Sequence, residues 1–479
     1  MIVWSRSCGL MMRVGLSAKT DDVANDDVAT DAKTASGRRP WRFPLVALVV
    51  ALMLLLAAFQ LLLWYVPVQG RGGPDIYARG IDFAATLTGA RVVRDGDGNN
   101  LYDLAVQRQA QARVLGSYIT LKDGSVLPYL HPPFEALLVA PLLALSYGTL
   151  YLLWSGLIVL AFGGSLTLLA RTLPLRGGAA WLLPAALCSY QSLYQSLWLG
   201  QSSPLVLLGL TGAYVGLRRG RDGWAGVALA LVAIKPQMLL VVGLVLLLLR
   251  RWRPLLVCGA LLAAVSVAAM PLLGLLWPLR YARFLSGIAQ WGDAFHEYPA
   301  IMHNWRGLVF NLFNDVAAWL VGPSVTVLTC LTFGGLGWAW WRARDELRAG
   351  SWGVSADLLW ALACLLAVLV SPHLYMHDLT TLALPAWIIV ARLIVGARER
   401  AAARRWSVLL WSVYLLGFLL PTIADRWPAA PVVPTVTLFT LAAGLLIREI
   451  GVVARFVPRR DTPVDGGFPH VTVVALTGS

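Results

Sequence analysis

"PLVALVVALMLLLAAFQLLLWYV", residues 44–66, carries no charged residue and a single amide, Gln60. A helix that crosses the hydrocarbon core of a bilayer needs about 20 consecutive apolar residues, and this run supplies them. The rest of the chain repeats the signal. Of its 479 residues, 58% are hydrophobic and only 13% charged, and the mean hydropathy is +0.68. Soluble domains carry about 25% charged residues, so the polar surface that a water-soluble fold requires is missing. The sequence therefore specifies an all-α integral membrane protein, a polytopic helical bundle.

Working outward from 44–66, further candidate spans lie at 149–170, 178–197, 202–217, 223–235, 237–250, 254–276, 315–341, 356–371, 379–396, 406–422 and 433–450, twelve in all. The pieces 223–235 and 237–250 are short, and either extend through their polar neighbours or form a hairpin that does not fully cross. A further apolar run, "PPFEALLVAPLLALS" (132–146), is read as a segment dipping in from outside, because counting it as a span puts every later basic loop on the wrong face.

The net charge of +14 is distributed as short punctuation between apolar runs: "RRPWR" (38–42), "LRRGRDG" (217–223), "RRWR" (250–253), "RARDELR" (342–348), "ARERAAARR" (397–405) and "VPRR" (457–460). Basic residues gather in cytoplasmic loops, and with a cytoplasmic N-terminus all six clusters fall on that face. This pattern speaks against nucleic-acid binding. Residues 1–43, acidic and small, read as a disordered cytoplasmic tail, 44–450 as the membrane domain with large outer loops at 67–131 and 277–314, and 451–479 as a second tail. None of the five cysteines has a ligand-like neighbour, so neither a disulfide framework nor a zinc site is predicted.

That threading gathers the titratable residues on the outer face. Five of the six histidines (His131, His296, His303, His373 and His377) fall there, with Asp75, Asp82, Asp293, Glu297 and Asp378. Asp82, in "IDFAATLTGARVVRDGDGNNLYD" (81–103), is placed to accept a proton from an attacking hydroxyl; the same spacing suits a solvated loop aspartate or a helix cap. Downstream, 99–116 reads as an amphipathic helix along the interface, with Leu101, Leu104, Ala105 and Val106 on it. Lys235, in "AIKPQM", is one of four lysines and lies within an apolar stretch. An ionisable residue at membrane depth costs about 2.5–3.5 kcal/mol on insertion scales and marks a functional candidate, here for an anionic group such as phosphate; the alternative is a snorkelling lysine at a hairpin tip. In "WLGQSSP" (198–204), Gly200 and Pro204 break a helix and offer Gln201 and two serines at the break. In "VSPHLYMHDLTTL" (370–382), His373, His377 and Asp378 open a span, suited to hydrogen bonding or proton handling. The four-residue histidine spacing would share a helix face as zinc ligands do, but no third ligand accompanies it. "MHNWRGLVFNLF" (302–313) adds Asn304 and Arg306 at another helix entrance.

Taken in order, "DFAATLTGARVV", "NNLYDLAVQ", "YLHPPFEALLVAPLLAL", "LGQSSPLVLLGL", "AIKPQM", "HNWRGLV" and "VSPHLYMHDL" resemble glycosyltransferase family 87, over roughly residues 44–450. These are polytopic enzymes of the GT-C class, among them actinobacterial mannosyltransferases that use polyprenyl-phosphate mannose. The resemblance implies inverting transfer of a mannose-like hexose from a polyprenyl-monophosphate donor to a lipid or glycan acceptor, outside the bacterial cytoplasmic membrane. It places Asp82 at the catalytic aspartate of the first outer loop, with Asp75 its nearest competitor. His377 stands where relatives commonly have tyrosine. The resemblance implies neither a metal-binding DxD pair of the nucleotide-sugar enzymes nor a cofactor. His373, His377 and Asp378 join Asp82 as catalytic candidates; Lys235, Gln201, Arg79, Arg91, Asn304 and Arg306 are candidates for holding substrate. The rival class is a transporter or lipid flippase. Such proteins usually carry internal repeats, and no convincing repeat is visible here.

Overall fold

The computed structural model describes residues 42–65, 80–115, 126–287, 299–348, 352–397, 399–420, 427, 429 and 431–455. Nearly all of both expected tails, and Asp75, Arg79, Asp293, His296 and Glu297, lie outside the described residues. The chain divides into two units, residues 1–45 and 46–479. Of the first, only 42–45 are described, as the start of a helix.

The described secondary structure is helical throughout. Helix α1 (Arg42–Tyr65) carries residues 44–65 of the uncharged apolar run. The described chain after α1 then folds as α2 (Ile81–Arg94), α3 (Leu104–Leu115) and α4 (Phe134–Val139). The bundle continues through α5 (Tyr147–Thr172), α6 (Ala179–Ser189), α7 (Gln191–Leu199), α8 (Ser203–Arg218), α9 (Asp222–Val232), α10 (Pro236–Leu248) and α11 (Trp252–Leu273). After α12 (Trp277–Gly287) come α13 (Trp305–Ala317), α14 (Val321–Arg348), α15 (Val354–Val370), α16 (Ala383–Ile389), α17 (Arg400–Leu419) and α18 (Val432–Val453). A 3₁₀ segment, Met376–Leu382, precedes α16 and a π-helical turn, Val390–Val395, follows it.

Among the described residues, six helical stretches are long and apolar enough to cross a membrane: Pro44–Leu62, Tyr147–Thr172, Trp252–Leu273, Trp305–Arg348, Met376–Val395 and Val432–Val453. Several of the remaining apolar segments are shorter because they break. The run expected over 178–197 parts at Tyr190, whose backbone is extended, into α6 and α7. The run expected over 223–250 is a hairpin. Arg251 at the base of α11 comes within 3.5 Å of Asp222 at the start of α9, so α9 and α10 fold back with Lys235 at their tip. At 1.5 Å per residue, the 11 residues of α9 reach about 17 Å, short of a bilayer core of about 30 Å. Likewise 132–146 forms a six-residue helix and one 3₁₀ turn, too short to cross.

Helix α3 departs from its expected amphipathic face. Its inward face carries Gln107, Ala110 and Gln111, spaced i, i+3, i+4, and both glutamines are buried. Gln107 Oε1 accepts from Tyr129 N at 2.8 Å, and Gln111 Oε1 from Leu127 N at 3.0 Å. Segment 126–130 lies outside any helix or strand among the described residues, and the two amides bond its backbone. Hydrogen-bonding need, not apolar content, chose the buried face.

Two polar layers cap the short helices. At one end lies Asp357, fully buried in the first turn of α15. It accepts from Arg218 Nη1 at 2.6 and 2.7 Å, Arg392 Nε at 2.7 Å, Tyr214 Oη at 2.8 Å and Trp352 Nε1 at 2.8 Å. Arg218 ends α8 and Arg392 sits on the π-helical turn, so one carboxylate ties three elements. Arg251 of the 250–253 cluster pairs with Asp222 of the 217–223 cluster, and Glu346 of the 342–348 cluster accepts from Ser355 two residues before Asp357. The other end carries the candidate site. Breaking a buried ion pair by removing one partner costs about 3–5 kcal/mol; because both arginines retain some solvent contact, the lower figure applies. Asp357→Leu should therefore lower the thermal midpoint of the purified, detergent-solubilised protein by several degrees. An unchanged midpoint would show that the layer is not a structural tie.

Candidate active site

The site is built from backbone interruptions. The first is between α7 and α8, where Gly200 adopts φ +73° and a Cβ would come within 2.6 Å of Phe83 Cβ. Only glycine meets both demands. Its carbonyl accepts from Trp154 Nε1 at 2.8 Å, and Tyr151 Oη donates to Leu197 O at 2.6 Å. The start of α2 docks on the same break: Gly80 N donates to Trp198 O at 2.6 Å, and Tyr147 Oη donates to Gly80 O at 2.9 Å. Asp82, in the first turn of α2, is thereby fixed opposite Gln201, whose Nε2 donates to Asp82 Oδ2 at 2.6 Å.

The second interruption is the hairpin tip, where Pro236 at the first position of α10 follows Lys235. Proline is tolerated there because that N–H has no helical partner. Lys235 is 6% exposed. Its Nζ donates to Ser203 Oγ at 3.1 Å and pairs with the Asp378 carboxylate. Ser203 Oγ donates to the same carboxylate oxygen at 2.7 Å.

The third interruption follows α15. Ser371 and Pro372 stop the helix, the chain bends at 372–373 and is extended at Tyr375, and 376–382 wind as a 3₁₀ segment. His373 and His377 therefore share no α-helical face, which removes the zinc-like geometry that their spacing suggested. Asn304 braces this segment: its Nδ2 donates to Ser371 O at 2.8 Å while its Oδ1 caps α13 by accepting from Gly307 N at 2.8 Å. His303 N donates to Leu374 O at 3.0 Å. Burial pushes the His303 imidazole down to about 4, so it is neutral at physiological pH. Ser196 Oγ on α7 donates to His377 O at 3.1 Å, joining the third break to the first.

These breaks bring Asp82, Gln201, Ser203, Lys235, His373, His377 and Asp378 into one cluster. Burial raises the Asp82 pKa above the ordinary carboxylate value; the Gln201 hydrogen bond, then the charges of Lys235, His131 and His373, pull in the opposite direction. Asp378 pairs with Lys235 and Glu135 with His131, whereas Asp82 has no ion-pair partner among the described residues. Other candidates sit differently. Arg91 is nine residues along α2 from Asp82, about 13 Å at helical rise, and pairs with Asp95 at 2.9 Å on an exposed face. Arg306 is at the rim, with Nη1 3.5 Å from Pro372 O. The Asn304 amide is engaged on both atoms by the backbone bonds given above.

Sequence reasoning placed His131 on the outer face but gave no role to it or to Glu135. Their i, i+4 spacing across two prolines was the available signal. Among the described residues no group of three His, Cys, Asp or Glu is arranged to hold a metal ion. An apolar cavity of about 360 Å³ opens alongside, with Leu187, Leu379, Thr380, Ala383, Leu410 and Trp411 in its wall. Thr380 lies two residues past Asp378.

Comparison with curated proteins and with solved structures returned no match. The family described as glycosyltransferase family 87 matches residues 129–372, more than half of the chain, a region that holds Gln201, Ser203, Lys235 and the His131–Glu135 pair. This multi-pass helical membrane protein belongs to glycosyltransferase family 87.

Proposed function

We propose that the chain transfers a mannose-like hexose, with inversion, from a polyprenyl-monophosphate donor to a lipid or glycan acceptor. The proposed setting is the outer face of a bacterial cytoplasmic membrane, with about twelve crossings of GT-C type, residues 44–450 as the membrane domain and 1–43 and 451–479 as cytoplasmic tails. The observation that carries this reading is the state of the three clustered carboxylates. Among the described residues Asp378 pairs with Lys235 and Glu135 is hydrogen-bonded to His131, whereas Asp82 is held by an amide alone. A carboxylate with a raised pKa and no salt bridge suits a general base. Asp82 takes the proton of the acceptor hydroxyl as that oxygen bonds to the anomeric carbon. The bond from that carbon to the phosphate oxygen breaks, and its electron pair stays on the phosphate. Lys235 spends two N–H groups on Ser203 and Asp378, leaving the third for the phosphate. His373, His377 and Asp378 shape the wall opposite Asp82, with Gln201 orienting the base; Arg306 at the rim is suited to the donor, as is Arg79, which lies outside the described residues. The apolar cavity beside Thr380 supports a lipid-linked substrate.

A proteoliposome assay with radiolabelled polyprenyl-phosphate mannose tests the reading: transfer to endogenous or added acceptor lipid supports it, and none from any polyprenyl-phosphate sugar overturns it. Asp82→Asn keeps the shape but removes the proton acceptor, so turnover should fall about 10²–10⁴-fold with donor binding retained. Near-normal turnover would move the base elsewhere.

The pH profile offers an independent check. The base works deprotonated, so kcat/KM should rise with pH through a midpoint above the ordinary aspartate value, in the direction burial imposes on Asp82. A midpoint at or below that value would argue against this assignment.

Lys235→Met should weaken donor binding. Because it leaves Asp378 uncompensated, the double variant Lys235→Met/Asp378→Asn separates lost phosphate affinity from lost fold. Unchanged donor affinity in the folded double variant would remove Lys235 from the phosphate site.

Orientation is tested by cysteines introduced at 342–348. They should label only after the cytoplasmic side is made accessible, and labelling from outside would invert the topology.

A further inference from the structure

His131 and Glu135 are set one turn apart at the entry to α4, and the histidine Nδ1 is hydrogen-bonded to Glu135 Oε2. Glu135 is 4% exposed, whereas the His131 side chain keeps 25% of its surface. The carboxylate is therefore the buried anchor and the imidazole the working end. Glu135 is near enough to Lys235 and Ser202 to feel both, and His131 acts on the charges of Asp82 and His377. The pair thus belongs to the same chamber as the Asp82–Gln201 contact.

The backbone that carries the ring is held with unusual care. Tyr102 Oη donates to His131 O at 3.1 Å, Tyr281 Oη to Leu130 O at 3.1 Å and Tyr129 Oη to Pro132 O at 2.5 Å. Pro132 and Pro133 remove the conformational freedom that follows the ring. Three tyrosines from three separate segments fix a histidine whose Nδ1 is already committed, which leaves Nε2 as the nitrogen able to meet a ligand. A carboxylate that accepts from Nδ1–H favours the doubly protonated ring, and in that form Nε2–H donates to an anion.

Lys235 alone is a poor seat for an anion, because its charge is shared with the Asp378 carboxylate and Asp82 lies close by. A second donor on another wall removes that deficit, and charge-assisted hydrogen bonds from two directions orient a phosphate as well as hold it. We infer that His131, positioned by Glu135, is a second arm of the phosphate site, donating from Nε2 to the phosphate of the lipid-linked donor. This rests on the function proposed above. As the bond to the anomeric carbon breaks, the electron pair moves onto the phosphate oxygen that His131 faces, while the acceptor's proton goes to Asp82. His131 touches the substrate, and Glu135 acts through it as a positioning residue.

The test is binding of radiolabelled polyprenyl monophosphate, the spent donor, to the full-length protein in nanodiscs, with the matching polyprenyl alcohol as the phosphate-free control. His131→Phe keeps a ring beside Tyr129 but removes the N–H. It should weaken binding of the monophosphate about 10-fold or more, the size expected for a lost hydrogen bond to a charged group, and leave binding of the alcohol unchanged. Glu135→Gln should weaken the monophosphate less than His131→Phe does. Donor KM should rise in both variants while acceptor KM holds. If His131→Phe fails to insert, His131→Leu, with a thermal midpoint matched to the parent, replaces it. Wild-type affinity for the monophosphate in a folded His131 variant overturns the inference, as does an equal loss for the alcohol. Asp82→Asn, run in parallel, keeps the two ideas apart. If it is inactive and His131→Phe binds and turns over normally, the function stands and the phosphate arm falls. If the parent protein shows no preference for the monophosphate over the alcohol, the donor class itself is wrong.

Discussion

The Lys235–Asp378 ion pair is the contact on which the arrangement of the site depends. It joins the tip of the α9–α10 hairpin to the 3₁₀ segment after α15, and Ser203 at the start of α8 bonds to both partners. An isolated ammonium at membrane depth is costly, and so is an isolated carboxylate. Each therefore requires the other, and together they require the helix ends that carry them to converge. Once converged, the lysine charge reaches Asp82, Glu135 and His377 as well. A structural necessity of burial thus sets the electrostatics of the whole chamber.

Convergence of helix ends raises a second demand. Every interruption frees backbone N–H and C=O groups, which in a low-dielectric setting must find partners within the protein. Here side chains supply them: Trp154 at Gly200, Tyr147 at Gly80, Asn304 at Ser371. The same bonds that satisfy the backbone fix Asp82, Gln201 and the 371–378 segment. Asn304 illustrates the consequence. It stands among the site residues, yet its amide is devoted to the scaffold, and its contribution is to hold the third break in position.

Three carboxylates share this chamber with different neighbours, and the neighbours decide what each can do. Asp378 is tied to a lysine and a serine, Glu135 to a histidine, and Asp82 to an amide that offers one N–H and no charge. Identical chemistry in three environments gives an ion-pair partner in Asp378 and, in the roles proposed above, an orienting group in Glu135 and a proton acceptor in Asp82. At the far end Asp357 answers the same constraint in a fourth way, with two arginines, a tyrosine and a tryptophan closing around it.

The amino-acid sequence by itself determined the membrane class, because apolar runs of spanning length and a deficit of charge admit no soluble alternative. It also located the interruptions, since Gly200, Pro236 and Pro372 act through their own backbone geometry, and it flagged Lys235 by the cost of burying an ammonium. These are local properties, legible one residue at a time. What the tertiary structure alone decided were the pairings: Gln201 with Asp82 and Lys235 with Asp378, across sequence separations of 119 and 143 residues. It also turned the glutamine face of α3 inward and denied His373 and His377 a common helix. The role of the His131–Glu135 pair was likewise hidden, although the two are neighbours in sequence, because nothing local says which chamber a side chain faces. A side chain's partner is set by where distant helix ends meet, and that depends on the packing of the whole bundle.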